Sequence, residues 1–139
     1  MTITPHLNFN GQARQALAFY QSVLGGRSTL VTYRDFGNVH DPAHADQLVW
    51  GQVESENGLR IMAFDVAPGM PWEPGRNAFF VSLRGDTAAE IAALWSRLSA
   101  GASIVHALAP SQWSPLYGML QDQFGVVWVL DVQVAHPTV

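Results

Sequence analysis

No cysteine occurs in this chain, so there is no disulfide framework, no thiolate nucleophile and no sulfur ligand for a metal, and a reducing cytosol is the expected setting. Charge is scarce as well: Asp, Glu, Lys and Arg together make up 13% of the residues, about half of an ordinary globular share. Lys and Arg together number seven, all of them Arg and scattered singly, and the formal net charge is -4. No basic stripe exists to neutralise a phosphate backbone, so nucleic acid is not an expected partner. No apolar run approaches the roughly 20 residues of a membrane-spanning helix. The first Lys or Arg is Arg14, which leaves the start without the basic region of a signal peptide. A cytoplasmic protein with no membrane partner is expected.

Core-forming material, by contrast, is plentiful. Apolar residues are 48% of the 139, and a chain of this length buries roughly two thirds of its unfolded surface. With so little charge, some apolar surface is left without polar cover, which predicts a self-associating face and a homodimer.

Thr2 to Phe9 alternates, with Ile3, Leu7 and Phe9 on one parity and Thr4, His6 and Asn8 on the other, as a strand with one apolar face does. Ala13, Ala16, Leu17, Tyr20 and Leu24 then recur at helical spacing up to Gly25-Gly26, which predicts an amphipathic helix with a glycine stop. Ser28 to Arg34, Gln47 to Glu54 and Leu59 to Val66 are β-rich, the last two joined by the hairpin signal Asn57-Gly58. Ala67 to Arg76, with its Pro and Gly residues, reads as a linker. The order then repeats. Asn77 to Arg84 is strand-like, Thr87 and Glu90 fit a capping box, and Ile91, Leu94, Trp95 and Leu98 keep helical spacing. Ser103 to Leu108, Leu116 to Gln121 and Val126 to Val132 supply three more strands. The expected fold class is α+β: one domain over 1–139, with a first β-α-β-β-β module at 1–66, a linker at 67–76 and a second such module at 77–139.

Nucleophilic catalysis finds no support, since there is no Cys and no Gly-x-Ser-x-Gly elbow. The residues that can bear chemistry are His6, with Asn8 beside it on the polar parity of strand one, and Asp65, at the end of the fourth strand. His6 is either a ligand or general base in a pocket, or a histidine bonded to a neighbouring strand. Asp65 either takes a proton or a cation, or is a solvated strand end. Trp113 and Tyr117 lie in and beside the Pro-broken segment 110–116, where rings are freer to line a pocket than in a core. His40, Asp41, His44 and Asp46 crowd one loop, but Pro42 argues against a helical metal-binding face there, and solvation explains them. His106 and His136 are weaker candidates, one in a strand of unknown facing and one at the C-terminal end.

Phe19-Tyr20 followed by Leu24-Gly25-Gly26, and Tyr117-Gly118, Asp122, Phe124-Gly125 and Trp128, form a pair of motifs that flank nearly the whole chain. With them the sequence resembles the vicinal oxygen chelate superfamily of glyoxalase I, bleomycin-resistance proteins and extradiol dioxygenases. Within that superfamily it is similar to the PhnB-like branch, also labelled demethylubiquinone methyltransferase-like. The resemblance implies paired β-α-β-β-β modules, a curved, cup-shaped mixed sheet around a pocket, and a homodimer that commonly completes it. Metal-dependent members place His or Gln on the first strand of each module and Glu on the last. Here those slots fall on Thr4 or His6 and on Ala63 or Asp65 in the first module. In the second they fall near 77–79 and at Val129, with Asp131 two residues on. Val cannot ligate, and a catalytic metal takes about three protein ligands. The expectation is therefore no cofactor, with His6, Asp65 and Asp131 as the set if a divalent metal is bound after all. Nothing resembles the Gly-rich βα turn of a nucleotide site, so S-adenosylmethionine chemistry is not expected. The expected function is the binding of a small apolar or aromatic ligand, with His6, Asn8, Asp65, Trp113 and Tyr117 lining the pocket. The alternative is a metal-dependent lyase, isomerase or dioxygenase, and a third reading makes the chain mainly an association module.

Overall fold

The computed structural model describes residues 1–135 and divides the chain into two compact units, one ending at Gly75 and the next beginning at Arg76. The first unit runs β1 (His6–Phe9), α1 (Ala13–Leu24), β2 (Arg27–Thr32), a short 3-10 turn (Pro42–His44), β3 (Leu48–Glu54) and β4 (Arg60–Asp65). The second runs β5 (Val81–Gly85), α2 (Ala88–Leu98), β6 (Ser103–Ala109), β7 (Tyr117–Gln121) and β8 (Val127–Val132). The strand orders, β1-β4-β3-β2 and β5-β8-β7-β6, are the same arrangement twice. In each sheet the first and last strands of the unit are parallel neighbours and the other pairs are antiparallel. The class is α+β with two four-stranded mixed sheets.

Each helix packs on one face of its own sheet. Ala13, Ala16, Leu17, Tyr20 and Val23 of α1 are buried, as their spacing predicts, and Ile91 and Leu98 are the fully buried positions of α2. A glycine marks a close approach of helix to sheet in both units. A Cβ at Gly51 of β3 would collide with the Leu17 Cδ1 atom, and one at Gly118 of β7 would lie 2.7 Å from the Trp95 ring. Gly51 sits opposite Ala63 and Gly118 opposite Leu130, which aligns the two units residue by residue. Asp65 then corresponds to Val132, Phe64 to Asp131, Asn8 to Arg84 and His6 to Ser82.

Two strands start later than their alternation predicts. Pro5 has no N–H to give a ladder, although its carbonyl accepts from Met62 N at 2.9 Å, so β1 begins at His6. Ile3, expected on the core parity, is 101% exposed. The strand expected from Asn77 begins only at Val81, because Asn77 sits at φ 57, a left-handed conformation that breaks an extended run.

Candidate functional site

Alternation sorts the strand residues between a face under the helix and a helix-free face. In the first unit Leu7, Phe9, Ile61, Ala63 and Asp65 share the parity that packs beneath α1. His6 and Asn8 of β1, Met62 and Phe64 of β4 and Trp50 of β3 occupy the helix-free face. There the His6 ring meets the Phe64 ring edge-on at 5.2 Å, and His6 Nδ1 lies 2.9 Å from Asn8 Oδ1. An amide oxygen only accepts, so this bond requires a proton on the His6 Nδ1 atom. The Trp72 indole, from the linker, donates to the Asn8 carbonyl at 2.9 Å, and the Trp50 indole points at Met62 Sδ at 3.3 Å. His6, Asn8 and aromatic rings are thus brought together.

Asp65 is not among them. It is 1% exposed and lies on the opposite face, where Oδ1 accepts from Gly11 N at 2.8 Å and from Ala13 N at 3.0 Å, while Oδ2 accepts from Leu48 N at 2.9 Å. Gln12, at the N-cap of α1, makes no side-chain capping bond and the first turn holds no acid. Asp65 fills both roles from 52 residues away, satisfying orphan N–H groups and placing negative charge at the positive end of the helix. The Tyr33 hydroxyl donates to the Asp65 carbonyl. Burial, and then the Asp65 charge, push the Tyr33 phenol above its ordinary pKa. Ala63, the other slot considered on β4, shares this parity, so the helix-free positions of that strand are Met62 and Phe64.

In the second unit Trp128, Leu130 and Val132 pack beneath α2, and the helix-free face carries Arg84 of β5, Val129 and Asp131 of β8, and Tyr117 of β7. Val129 and Asp131 are two residues apart and therefore point the same way; they are not alternatives for one inward position. Arg84 grips Asp131 side-on, Nε at 3.0 Å and Nη2 at 3.2 Å from its two oxygens. That hydrogen bonding, and then the carboxylate charge, hold the guanidinium pKa above its ordinary value. Tyr117 is the register partner of Asp131. Its ring meets His106 edge-on at 5.1 Å and Trp113 edge-on at 5.2 Å, and Trp113 is 52% exposed. Trp113 and Tyr117 are therefore neighbours, with His106 as their third ring.

The other candidates have local explanations. Asp41 accepts from Ala43 N at 3.0 Å and from the His44 ring at 3.1 Å, capping the short turn of that loop. Asp122 accepts from Phe124 N, Val126 N and the Trp128 indole at 2.9, 3.0 and 2.9 Å. The Asp-x-Phe-Gly-x-x-Trp motif is thereby the scaffold of the β7–β8 hairpin. His136 lies outside the described residues. Sequence reasoning missed Arg84 and Met62; the available signal was parity, since Arg84 alternates with the core residue Leu83 as Asp131 does with Leu130.

A divalent metal does not fit these groups. Among the described residues no three His, Asp or Glu side chains are grouped as a metal site requires. Both oxygens of Asp65 are taken by backbone N–H groups and both of Asp131 by Arg84.

Comparison with known proteins agrees with the doubled architecture. A family model described as 3-demethylubiquinone-9 3-methyltransferase matches residues 1–131. Protein PA1353 from Pseudomonas aeruginosa is 32% identical with a TM-score of 0.81, the match covering 96% of this chain and 98% of that one. A PhnB protein from Bacillus cereus is 25% identical with a TM-score of 0.72, covering 96% and 100%. A glyoxylase/bleomycin resistance protein/dioxygenase domain from Frankia sp. EAN1pec shares the fold at 12% identity, with a TM-score of 0.68 and coverage of 96% and 98%. With a family match spanning both units and relatives covered almost end to end, the chain belongs to the 3-demethylubiquinone-9 3-methyltransferase family and has the fold of the glyoxylase/bleomycin resistance protein/dioxygenase domain.

Proposed function

We propose that this protein binds a small apolar or aromatic molecule on a helix-free sheet face, without a metal ion. One observation carries the reading: the acids that the superfamily pattern would offer to a metal are already engaged, Asp65 by three backbone N–H groups and Asp131 by Arg84. Recruiting Asp65 would strand buried donors at a cost of about 1–3 kcal/mol each. His6 and Asn8 in the first unit and Trp113 and Tyr117 in the second are assigned to ligand contact, because they stand beside aromatic rings that suit a flat or apolar molecule. Asp65 is assigned to helix α1 instead. The units act as one domain over 1–139, in a cytoplasmic homodimer, a reading supported by the low charge and the absence of cysteine.

Two enzymatic readings have less support. A metal-dependent lyase, isomerase or dioxygenase would have to break one of the two bonded acids free. Methyl transfer, which the family's name describes, needs a bound nucleotide donor, and the β1–α1 turn of Asn10, Gly11 and Gln12 has a single glycine where a nucleotide cradle has several.

The test is thermal unfolding with Ni, Zn, Mn and Fe added in turn. A ligand bound only by the native state adds about 2.7 kcal/mol at a hundredfold excess over Kd, enough to raise the melting temperature measurably. No shift is expected with any of these metals, and a rise that disappears in His6→Ala would overturn the proposal.

A further inference from the structure

Resting on that reading, we infer that the helix-free face of the second sheet takes an aromatic ring that bears a carboxylate, with Arg84 as the anchor for the anion. Arg84, Asp131 and Tyr117 form one row across β5, β8 and β7, and the His106 and Trp113 rings extend the row by meeting Tyr117 edge-on. The two members of the ion pair are not equally accessible. The Asp131 side chain is 11% exposed and the Arg84 side chain 46%, so the carboxylate is covered while the guanidinium is presented. A guanidinium carries five N–H donors. Asp131 occupies those on Nε and one on Nη2, and the rest have no protein acceptor among the described residues. Asp131 thus acts as a positioning residue: it fixes the plane of the fork and leaves its outer edge for a second planar anion, which a carboxylate matches with paired hydrogen bonds.

A plain surface ion pair contributes little and needs no ligand. What sets this pair apart is the row it belongs to: across Asp131 from Arg84 stands Tyr117, with the half-exposed Trp113 indole edge-on to it, so an anion anchor and aromatic rings share one face. The corresponding row of the first unit lacks the cation, since Asn8 stands where Arg84 does and Phe64 where Asp131 does. Arg27 and Arg60 of that sheet are bound to Glu54, four register positions away from Phe64. Because Asp131 cancels most of the Arg84 charge at long range, recognition is by short contacts, and the discrimination appears in affinity rather than in steering.

The experiment is titration of the full chain with benzoate and with benzamide, its neutral isostere, followed at the tryptophan indole N–H signals by NMR. Benzoate is expected to bind at least about tenfold more tightly than benzamide, the worth of a hydrogen bond to a charged group, and to move the Trp113 signal. Arg84→Gln alone would leave Asp131 unpaired, so the deciding variant is Arg84→Gln with Asp131→Asn, a neutral pair that keeps a hydrogen bond. In it the preference is expected to vanish. Equal binding of benzoate and benzamide by the native protein, or a preference that survives in the double variant, overturns the anion anchor and leaves aromatic binding standing. If neither compound binds, both readings fall.

Discussion

The two units reach one strand order while closing their helices in different ways. Helix α1 is capped from afar by Asp65, a buried acid at the end of β4. Helix α2 is capped locally by Thr87, whose hydroxyl accepts from Glu90 N at 3.2 Å, with Glu90 in the first turn. The position matching Asp65 is Val132, and the acid of the second unit stands one residue earlier, at Asp131. A shift of one residue on a strand moves a side chain to the other face. The same residue type therefore serves as a helix cap in one unit and as the clamp on a presented arginine in the other. An acid near the end of the last strand does not by itself mark a site; its parity decides.

The two caps should differ most in what they contribute to stability. Asp65→Ala should cost about 3–5 kcal/mol, since it strands three backbone donors, each worth about 1–3 kcal/mol when buried. Thr87→Ala should cost about 1 kcal/mol, the usual price of one local cap. Urea unfolding measures both, and equal costs would refute the division of labour. The next effect sharpens the alignment of the units. Gly118→Ala should destabilise by about 1–3 kcal/mol through overpacking, and by more than Gly51→Ala. At Gly118 the new Cβ meets the rigid Trp95 ring and, at 3.1 Å, the Leu108 backbone, whereas at Gly51 its two nearest neighbours are the ends of the Leu17 and Leu48 side chains, with the Thr29 carbonyl at 3.3 Å. The same unfolding curves give the order, and a reversed order would mean that the two glycines are not equivalent.

Much of this fold was legible in the sequence because it is written in local periods. Helical spacing and alternation predict the doubled β-α-β-β-β order, and the Thr87–Glu90 box predicts where α2 starts. Trp113 and Tyr117 stood out because proline broke the segment around them. What stayed hidden depended on partners far along the chain. The N–H groups that claim Asp65 lie 17, 52 and 54 residues away, and Arg84 lies 47 residues from Asp131. The parity of Asp65 with Ile61 and Ala63 was visible, but its meaning required knowing that an uncapped helix begins above that face. The late start of β1 follows from Pro5, a local signal that the alternation through Ile3 outweighed.

Asp65 and Asp131 are both engaged within the fold, and the proposed ligand binding therefore requires no metal. Elemental analysis of the full chain purified without chelator tests it most directly. The predicted result is far less than one divalent metal ion per chain, unchanged in His6→Ala; stoichiometric metal that His6→Ala abolishes would contradict it.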